Sequence, residues 1–218
     1  QHFYNELAKP SKPDAAPLSA KSIKNIHGVL HKALKQAVLI GYLRTNPTEA
    51  CILPRIIRKE MHPLEEDQVA VFLREGHPHE YLYKIALFTG LREGEVLGLG
   101  WEHIDFQAGT LTVKRQLRRE QKKGGEYYFS PPKNNKSRCL TLAPSVIQLF
   151  RLQKLEQNSM RMEAGDAWEE HGLIFTNQTG GYLSYRTVYD CFKRIVRNIG
   201  APATRFHDLR HTFAVASI

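Results

Sequence analysis

Hydrophobic residues recur every three or four positions between residues 19 and 41, which is the spacing of a half-buried helix. Ser19 is the expected N-cap, and Gly41 is expected to end the helix. The predicted apolar side consists of Ile23, Ile26, Leu30, Ala33 or Leu34, Ala37 and Ile40. The other side carries a basic stripe of Lys21, Lys24, His31, Lys32 and Lys35. Such a stripe either follows a phosphate backbone or forms a solvated face, and the pattern favours neither.

Helical spacing recurs in later segments and gives way to alternation in the middle of the chain. It predicts helices over residues 65–75, 79–89, 93–99, 145–163 and 185–199, and a further helix from residue 207 onward. Alternating apolar and polar residues predict strands over 110–119, 126–130 and 138–142. The predicted fold class is therefore mostly α with a small antiparallel β-sheet of about three strands, an α+β arrangement.

Two proline-containing stretches lack any regular spacing of apolar residues. Residues 8–18 are predicted to be a loop, and residues 54–63 have the composition of a linker between domains. We therefore expect two domains, residues 1–55 and residues 64–218, joined by a linker over residues 56–63.

Charge and cysteine content restrict the classes of function. The chain has 218 residues with 31 Lys and Arg against 22 Asp and Glu, a formal net charge of +9. This excess favours a polyanionic partner without distinguishing DNA, RNA or an anionic membrane surface. No apolar run approaches the roughly 18 residues that span a bilayer, and no signal peptide is recognisable, so we expect neither membrane insertion nor secretion. Three separated cysteines, Cys51, Cys139 and Cys191, offer no disulfide framework, so we expect a reducing cytoplasm.

The common signature motifs of enzymes are missing from the sequence. It contains no P-loop, no HExxH zinc-protease motif and no GxSxG nucleophile elbow. His207 and His211 are four residues apart and could offer two metal ligands. Because no third ligand or acidic partner lies at metal-binding spacing, we predict no metal site.

Three segments carry a more informative set of residues, TGLREGEVLGLGW at 89–101, PPKNNKSR at 131–138 and HDLRHTFA at 207–214. Arg92 follows a Thr-Gly-Leu bend between two predicted helices, where backbone N–H groups also point outward. His207 and Arg210 are three residues apart, so they share one face of a helix. Two arginines, a histidine and a lysine from the turn suit a phosphodiester, because guanidinium groups neutralise charge growing on its equatorial oxygens.

Together and in this order, the three segments resemble the tyrosine recombinases, specifically phage-type integrases of the kind carried by prophages and conjugative transposons. Residues 61–218 resemble the front part of their catalytic domain, and residues 22–47 resemble the later part of their core-binding domain. The resemblance implies site-specific recombination of double-stranded DNA by a homo-oligomer in the bacterial cytoplasm. It also implies a 3′-phosphotyrosyl intermediate that conserves the phosphodiester energy, so that no metal, ATP or other cofactor is needed.

The resemblance assigns roles to individual residues. Arg92 and Arg210 match the two arginines that hold the non-bridging oxygens of the scissile phosphate, and Glu95 supports that site. His207 matches the histidine that assists proton transfer and contacts the phosphate. DNA contacts in the core-binding region fall on the four lysines of the basic stripe, Lys21, Lys24, Lys32 and Lys35.

A general acid is implied in the turn between the last two strands. Lys133 matches the lysine that protonates the departing 5′ oxygen, and Lys136 is the alternative because the register of the turn is open. Ordinary structural roles compete with both assignments and with the first arginine. The lysines could serve solubility alone, and Arg92 with Glu95 could be a simple intrahelical ion pair.

The sequence departs from the family pattern at its end. The pattern continues beyond the HxxR motif with another histidine or tryptophan and then the nucleophilic tyrosine, whereas this sequence ends at Ile218. All nine tyrosines precede His207, so none occupies the place of the nucleophile. We therefore expect a fragment of a longer integrase that binds DNA and does not cleave it alone.

Two other functions are compatible with the same residues. A non-catalytic DNA-binding protein with this fold would depend on the basic stripe more than on Arg92 and His207. A type IB topoisomerase would share the phosphate chemistry, but it would relax supercoils without the synapsis that recombination requires.

Overall fold

The computed structural model describes residues 1–11, 14–57, 61–74, 76–122 and 124–216. The chain forms two compact units, Gln1–Glu60 and Met61–Ile218. Parts of four predicted segments lie outside the described residues, namely residues 12–13 of the first loop, residues 58–60 of the linker, residue 75 of one helix and residues 217–218 of the last helix. The assignment of the first unit to a core-binding domain remains a prediction.

The described residues of the first unit form two helices, α1 (His2–Leu7) and α2 (Ala20–Leu39). The predicted N-cap of α2 is confirmed, because Ser19 Oγ accepts a hydrogen bond from Ser22 N at 3.1 Å. Ile23 is fully buried on the apolar side of α2. The sequence pattern therefore located this helix and its inner face correctly.

Two positions of α2 differ from the prediction. Ile40 follows the last helical residue and is 56% exposed, because the chain leaves the helix just before Gly41 takes a left-handed φ of 82°. His31 does not belong to the exposed basic stripe, since its Nδ1 lies 3.0 Å from Thr48 Oγ1 and 3.2 Å from Asn46 Nδ2. Its imidazole instead holds the turn that follows the helix.

The described part of the second unit contains six α-helices, namely α3 (Glu66–Arg74), α4 (Glu80–Thr89), α5 (Glu93–Leu97), α6 (Pro144–Ala164), α7 (Tyr185–Asn198) and α8 (Phe206–Ala216). Each confirms a helix expected from the spacing of apolar residues, with its ends displaced by at most two positions. Among the described residues, no helix combines the length and the apolar character needed to cross a lipid bilayer.

Aromatic rings form the centre of the second unit. Phe72 of α3, Tyr83 of α4, Phe192 of α7 and Phe206 of α8 meet with ring centroids 5.6 to 6.4 Å apart. The Tyr83 hydroxyl is buried with the rings and donates a hydrogen bond to Val188 O at 2.9 Å. Four helices are therefore joined by one apolar cluster with its polar atom satisfied.

Five short strands form two separate sheets, β1 (Ile104–Asp105), β2 (Thr110–Val113), β3 (Gln116–Arg119), β4 (Tyr127–Ser130) and β5 (Arg138–Thr141). An antiparallel sheet has the order β1-β2-β5, and β3 pairs with β4 in a two-stranded ribbon. The prediction of one continuous strand over residues 110–119 was wrong. The chain breaks at Arg115, whose Nε donates to Gly98 O at 2.9 Å and whose guanidinium lies 4.1 Å from the centroid of Phe129.

Helix α5 lies directly against strand β3 through two glycines. A Cβ atom at Gly98 would be 2.7 Å from Leu117 N, and one at Gly94 would be 2.7 Å from the hydroxyl of Tyr185. No side chain larger than hydrogen fits at Gly98 without a shift of the backbone. The contact fixes the helix that begins immediately after Arg92.

The beginning of the second unit is tied to its last helix. Leu64 N donates to Thr212 Oγ1 at 3.0 Å, and this hydroxyl donates to Asp208 O at 3.1 Å. Thr204 Oγ1, just before α8, donates to His62 O at 3.0 Å. Residues from the two ends of the unit therefore hold α8 in place.

Candidate phosphate-binding site

The junction between α4 and α5 places Arg92. Gly90 ends α4 with a left-handed φ of 60°, and its N–H donates to Ala86 O at 3.0 Å. Arg92 then adopts extended backbone angles as the N-cap of α5. A Cβ at Gly90 would lie 2.8 Å from the ring of Phe213, so α8 packs closely on this junction. A glycine is required here both for the backbone angle and for the approach of α8.

Glu95 is completely buried beneath Arg92 and accepts four hydrogen bonds. Arg92 donates from its backbone N to Oε2 and from Nη1 to Oε1, both at 2.9 Å. Arg138 donates from Nη1 to Oε1 at 2.9 Å and from Nη2 to Oε2 at 2.6 Å. A carboxylate has about four lone-pair positions, so this one is fully occupied. Glu95 thus joins α5 to strand β5.

The hydrogen bonds keep Glu95 ionised in spite of its burial. Burial alone raises the pKa of this carboxyl group, but the hydrogen bonds from Arg138 and Arg92 outweigh it and bring the pKa to about 2. Glu95 is therefore a fixed negative charge at neutral pH. The expectation that Glu95 lies beside Arg92 agrees with this geometry, and its supporting role in a reaction remains a proposal.

Arg138 is the residue of this cluster that the sequence reasoning missed. It lies in the quoted segment PPKNNKSR, as the first residue of β5, but it received no role there. A possible signal was the position of an arginine at the start of a strand next to the lysine turn. Nothing in the spacing indicated that its partner would be a carboxylate 43 residues earlier.

Helix α8 brings Arg210 to the same junction. Arg210 Nη1 donates to Gly90 O at 2.8 Å, two residues before Arg92. Because this contact uses the carbonyl that ends α4, the guanidinium is anchored to the bend that carries the first arginine. The two arginines are 118 residues apart in the sequence, and both are held at this junction.

His207 shares the electrostatic environment of the two arginines. Burial lowers its pKa, and the nearby charges of His211, Arg210 and Arg92 lower it further, against the opposing effect of Asp208. The imidazole is therefore neutral near pH 7. The two guanidinium groups repel each other, and an anion bound beside them would relieve that repulsion.

The two candidate lysines are not part of this cluster. Lys133 and Lys136 are exposed in the turn between β4 and β5, and neither makes a hydrogen bond or ion pair with any described residue. Arg138 anchors the end of this turn. Because Lys133 is five residues from Arg138, its Cα lies within about 18 Å of that anchor, whatever path the turn takes.

The four lysines predicted to contact DNA lie on α2 of the first unit. Lys21, Lys32 and Lys35 are exposed, and Lys24 is partly exposed. At 100° per residue the four fall within an arc of about 80°, on the side opposite Ile23. None of them forms an ion pair with a residue in the described ranges. The stripe is therefore a continuous positive face.

The part of the chain that the structure describes contains no set of ligands for a metal ion. No group of three or more His, Cys, Asp or Glu side chains is placed to hold a metal ion there. The rings of His207 and His211 instead pack edge to face, with centroids 5.2 Å apart.

The comparisons with known proteins agree on one family. Residues 64–217 match the sequence model of the phage integrase family. The chain is 28% identical over 232 residues to a tyrosine recombinase XerC-like protein of Caldanaerobacter subterraneus subsp. tengcongensis, covering 98% of this chain and 58% of that protein. It is 28% identical over 213 residues to an integrase of Streptomyces ambofaciens, covering 91% and 53%. The chain therefore spans little more than half the length of these curated relatives.

Solved structures of DNA complexes share the fold. The integrase of transposon Tn1549, in complex with transposon right end DNA, is 25% identical with a TM-score of 0.77, covering 92% of this chain and 69% of that one. The XerH site-specific recombinase bound to palindromic difH substrate is 22% identical with a TM-score of 0.61, covering 92% and 55%. The second likeness concerns the fold alone.

Proposed function

Because the chain belongs to the phage integrase family, we propose that it binds double-stranded DNA and activates one phosphodiester for site-specific recombination. The meeting of Arg92, Arg210 and His207 at the junction of α4 and α5 carries this proposal. Three groups that attract or stabilise an anion converge there from distant parts of the sequence. A phosphate oxygen shared between two guanidinium groups is the simplest ligand for such a pocket.

In this proposal the arginines hold the two non-bridging oxygens of the scissile phosphate. Negative charge grows on these oxygens as an attacking oxygen bonds to phosphorus, so contacts made before the reaction lower its barrier. The hydrogen bond from Arg210 to Gly90 O and the bond from Arg92 to Glu95 hold both guanidinium groups in place. Glu95 is in this view a support that does not touch the DNA.

Proton transfer completes the proposed reaction. The bond between phosphorus and the 5′ oxygen breaks, and the departing 5′ oxygen takes a proton from Lys133, with Lys136 as the alternative donor. His207, neutral near pH 7, exchanges a proton with the attacking hydroxyl or a phosphate oxygen. The exposed lysine turn would have to approach the phosphate for this step, and its anchor at Arg138 keeps it within reach.

The first unit is proposed to contact the duplex through the lysines of α2. Because phosphate contacts position a protein without reading sequence, these residues would set affinity more than specificity. Substituting Lys32 by Ala should lower the slope of log K against log salt by about one. The matched control is Lys9→Ala, which removes an exposed lysine of the same unit that is paired with Glu6.

A homo-oligomer on DNA and a cytoplasmic location belong to the same proposal.

The experiment that tests the proposal begins with DNA duplexes selected for binding from a random pool. The selected duplex, labelled at one 5′ end, is incubated with the chain, with and without hydrogen peroxide as a small external nucleophile. We expect cleavage at one position when peroxide is present, because its oxygen bonds to phosphorus while the 5′ oxygen leaves with a proton. Arg210→Ala should abolish cleavage, whereas Arg186→Ala, an exposed arginine of α7, should leave it unchanged.

Other outcomes identify the alternative functions. Tight binding with no cleavage under either condition would contradict the recombinase proposal and favour a non-catalytic DNA-binding protein. Relaxation of a supercoiled plasmid without any sequence preference would favour a topoisomerase. A covalent adduct without peroxide would show that the chain supplies its own nucleophile, against the expectation drawn from the positions of its tyrosines.

A further inference from the structure

We propose that Arg138 is a positioning residue that keeps Arg92 electrostatically available to a phosphate. The inference rests on the proposed function, and it concerns the charge of the cluster formed by Arg92, Glu95 and Arg138. Its basis is the sharing of one buried carboxylate by two guanidinium groups. Neither the family match nor the spacing of the sequence assigns a role to Arg138.

The cluster of Arg92, Glu95 and Arg138 carries a net positive charge. Arg92 and Glu95 alone form a neutral pair, and a neutral pair attracts a phosphate weakly. Arg138 adds a second positive charge to the same carboxylate, so the cluster carries a net charge of +1. Because the Glu95 side chain is only 1% exposed, water does little to screen this balance.

Arg92 and Arg138 use different numbers of hydrogen-bond donors on Glu95. Arg138 binds Glu95 through two guanidinium nitrogens, whereas Arg92 uses Nη1 alone from its side chain. An arginine has five N–H donors, so most of those on Arg92 are left for another acceptor. The Arg92 side chain is 35% exposed, which leaves its free edge open to a ligand. Arg138 therefore occupies acceptor positions on the Glu95 carboxylate. Without it, the carboxylate would accept more of the hydrogen bonds that Arg92 can donate.

Arg138 also connects Glu95 to the lysine turn. It is the first residue of β5 and directly follows the turn that carries Lys133 and Lys136. The side chain that pairs with Glu95 thus belongs to the strand at which the lysine turn ends. The positions of the arginine site and the lysine turn are linked through this one ion pair.

The test measures binding of dimethyl phosphate, a phosphodiester that keeps a single negative charge near neutral pH. Binding is followed through the side-chain ¹⁵N–¹H resonance of Arg92, assigned by its disappearance in Arg92→Lys. We expect Arg138→Met to weaken binding about tenfold, because it leaves a neutral pair. The control Arg186→Met removes the same total charge from an arginine that is 84% exposed, and it should change affinity less than about twofold.

A double variant separates charge from structure. Glu95→Gln combined with Arg138→Met restores a net charge of +1, so we expect it to recover most of the affinity for dimethyl phosphate that Arg138→Met loses. Glu95→Gln alone, with two positive charges, should bind more tightly than Arg138→Met. If Arg138 only braces the fold, both variants that lack it will bind equally weakly, and the proposal is wrong.

Folding of each variant is checked by circular dichroism at the temperature of the titration. If Arg138→Met alone does not fold, the comparison of the wild type with the double variant decides, and a tenfold loss in the double variant contradicts the inference. A wild-type chain that shows no Arg92-dependent binding contradicts the proposed function together with the inference. Wild-type binding that is unchanged in Arg138→Met contradicts the inference alone.

Discussion

The arginines and the lysines of the candidate site differ in how the fold holds them. Arg92 and Arg210 are each fixed by a hydrogen bond to the protein, at 2.9 Å to Glu95 and 2.8 Å to Gly90 O. Lys133 and Lys136 are exposed and make no hydrogen bond or ion pair with a described residue. The difference follows the chemistry proposed for each group. Stabilising charge requires donors fixed in advance, whereas a proton donor can act by approaching a site that is already formed.

The largest expected effect comes from removing the Glu95 carboxylate, which binds Arg92 and Arg138. Glu95→Ala would leave two partly buried guanidinium groups facing each other without a counter-charge, at a cost of about 3–5 kcal/mol in the free energy of unfolding. Urea unfolding of the variant measures this loss. Asp190→Ala, which breaks an exposed ion pair with Arg186, is the control and should cost less than about 1 kcal/mol. A loss equal to that of the control would mean that the cluster is not a fixed framework.

The pH dependence of stability distinguishes the two carboxylates of α5. For Glu95, hydrogen bonds from Arg138 and Arg92 outweigh burial and bring the pKa to about 2, while burial raises the pKa of Glu93 to about 7. An unfolded glutamate titrates near pH 4.3. The stabilisation from Glu95 is therefore present above about pH 4.3 and is lost as the pH falls toward 2. The stabilisation from protonated Glu93 is present below about pH 4.3 and is lost as the pH rises through 7.

Glu93→Gln tests this opposition directly, since the amide resembles the protonated acid. We expect the variant to be more stable than the wild type by about 3–4 kcal/mol at pH 8 and nearly equal to it at pH 4. Glu93 Oε1 is buried and has no hydrogen-bond partner among the described residues, so the substitution removes no bond from that atom. Equal effects at both pH values would show that Glu93 titrates normally.

The close contact of α5 with β3 is tested by adding one methyl group at Gly98, directly after α5. Gly98→Ala places a Cβ 2.7 Å from Leu117 N and should cost about 1–3 kcal/mol, because the backbone of β3 must move. Gly28→Ala, on α2 of the first unit, meets nothing within 4 Å and should instead stabilise the protein by up to about 1 kcal/mol. Thermal unfolding measures both variants, and a similar effect at the two positions would contradict the close contact of α5 with β3.

The smallest effect is expected at the lysine turn. Lys133→Ala and Lys136→Ala should each change the free energy of unfolding by less than about 0.5 kcal/mol, because both side chains are exposed and neither makes a hydrogen bond or ion pair with a described residue. The peroxide cleavage assay should nevertheless separate them, since only the general acid is needed for departure of the 5′ oxygen. Equal rates for both variants would mean that neither lysine supplies the proton.

Much of the fold followed from the spacing of apolar residues, because burying one side of a helix requires that spacing. Ser19 and the helices of the second unit illustrate this. The break at Arg115 did not follow, since alternation continues through it and the cause is a contact with Gly98 and Phe129 elsewhere in the chain. The partnership of Arg138 with Glu95 was invisible for the same reason, because each residue looks ordinary in its own segment.

The tie between Leu64 N and Thr212 Oγ1 joins residues 148 positions apart, and that between Arg210 and Gly90 joins residues 120 apart. A ribosome adds about 5–20 residues per second, so Arg210 is made roughly ten seconds after Arg92. Throughout that interval a nascent chain holds the first arginine without the second. The proposed phosphate site can therefore form only after residue 210 has been added, because a shorter nascent chain lacks one of its two arginines.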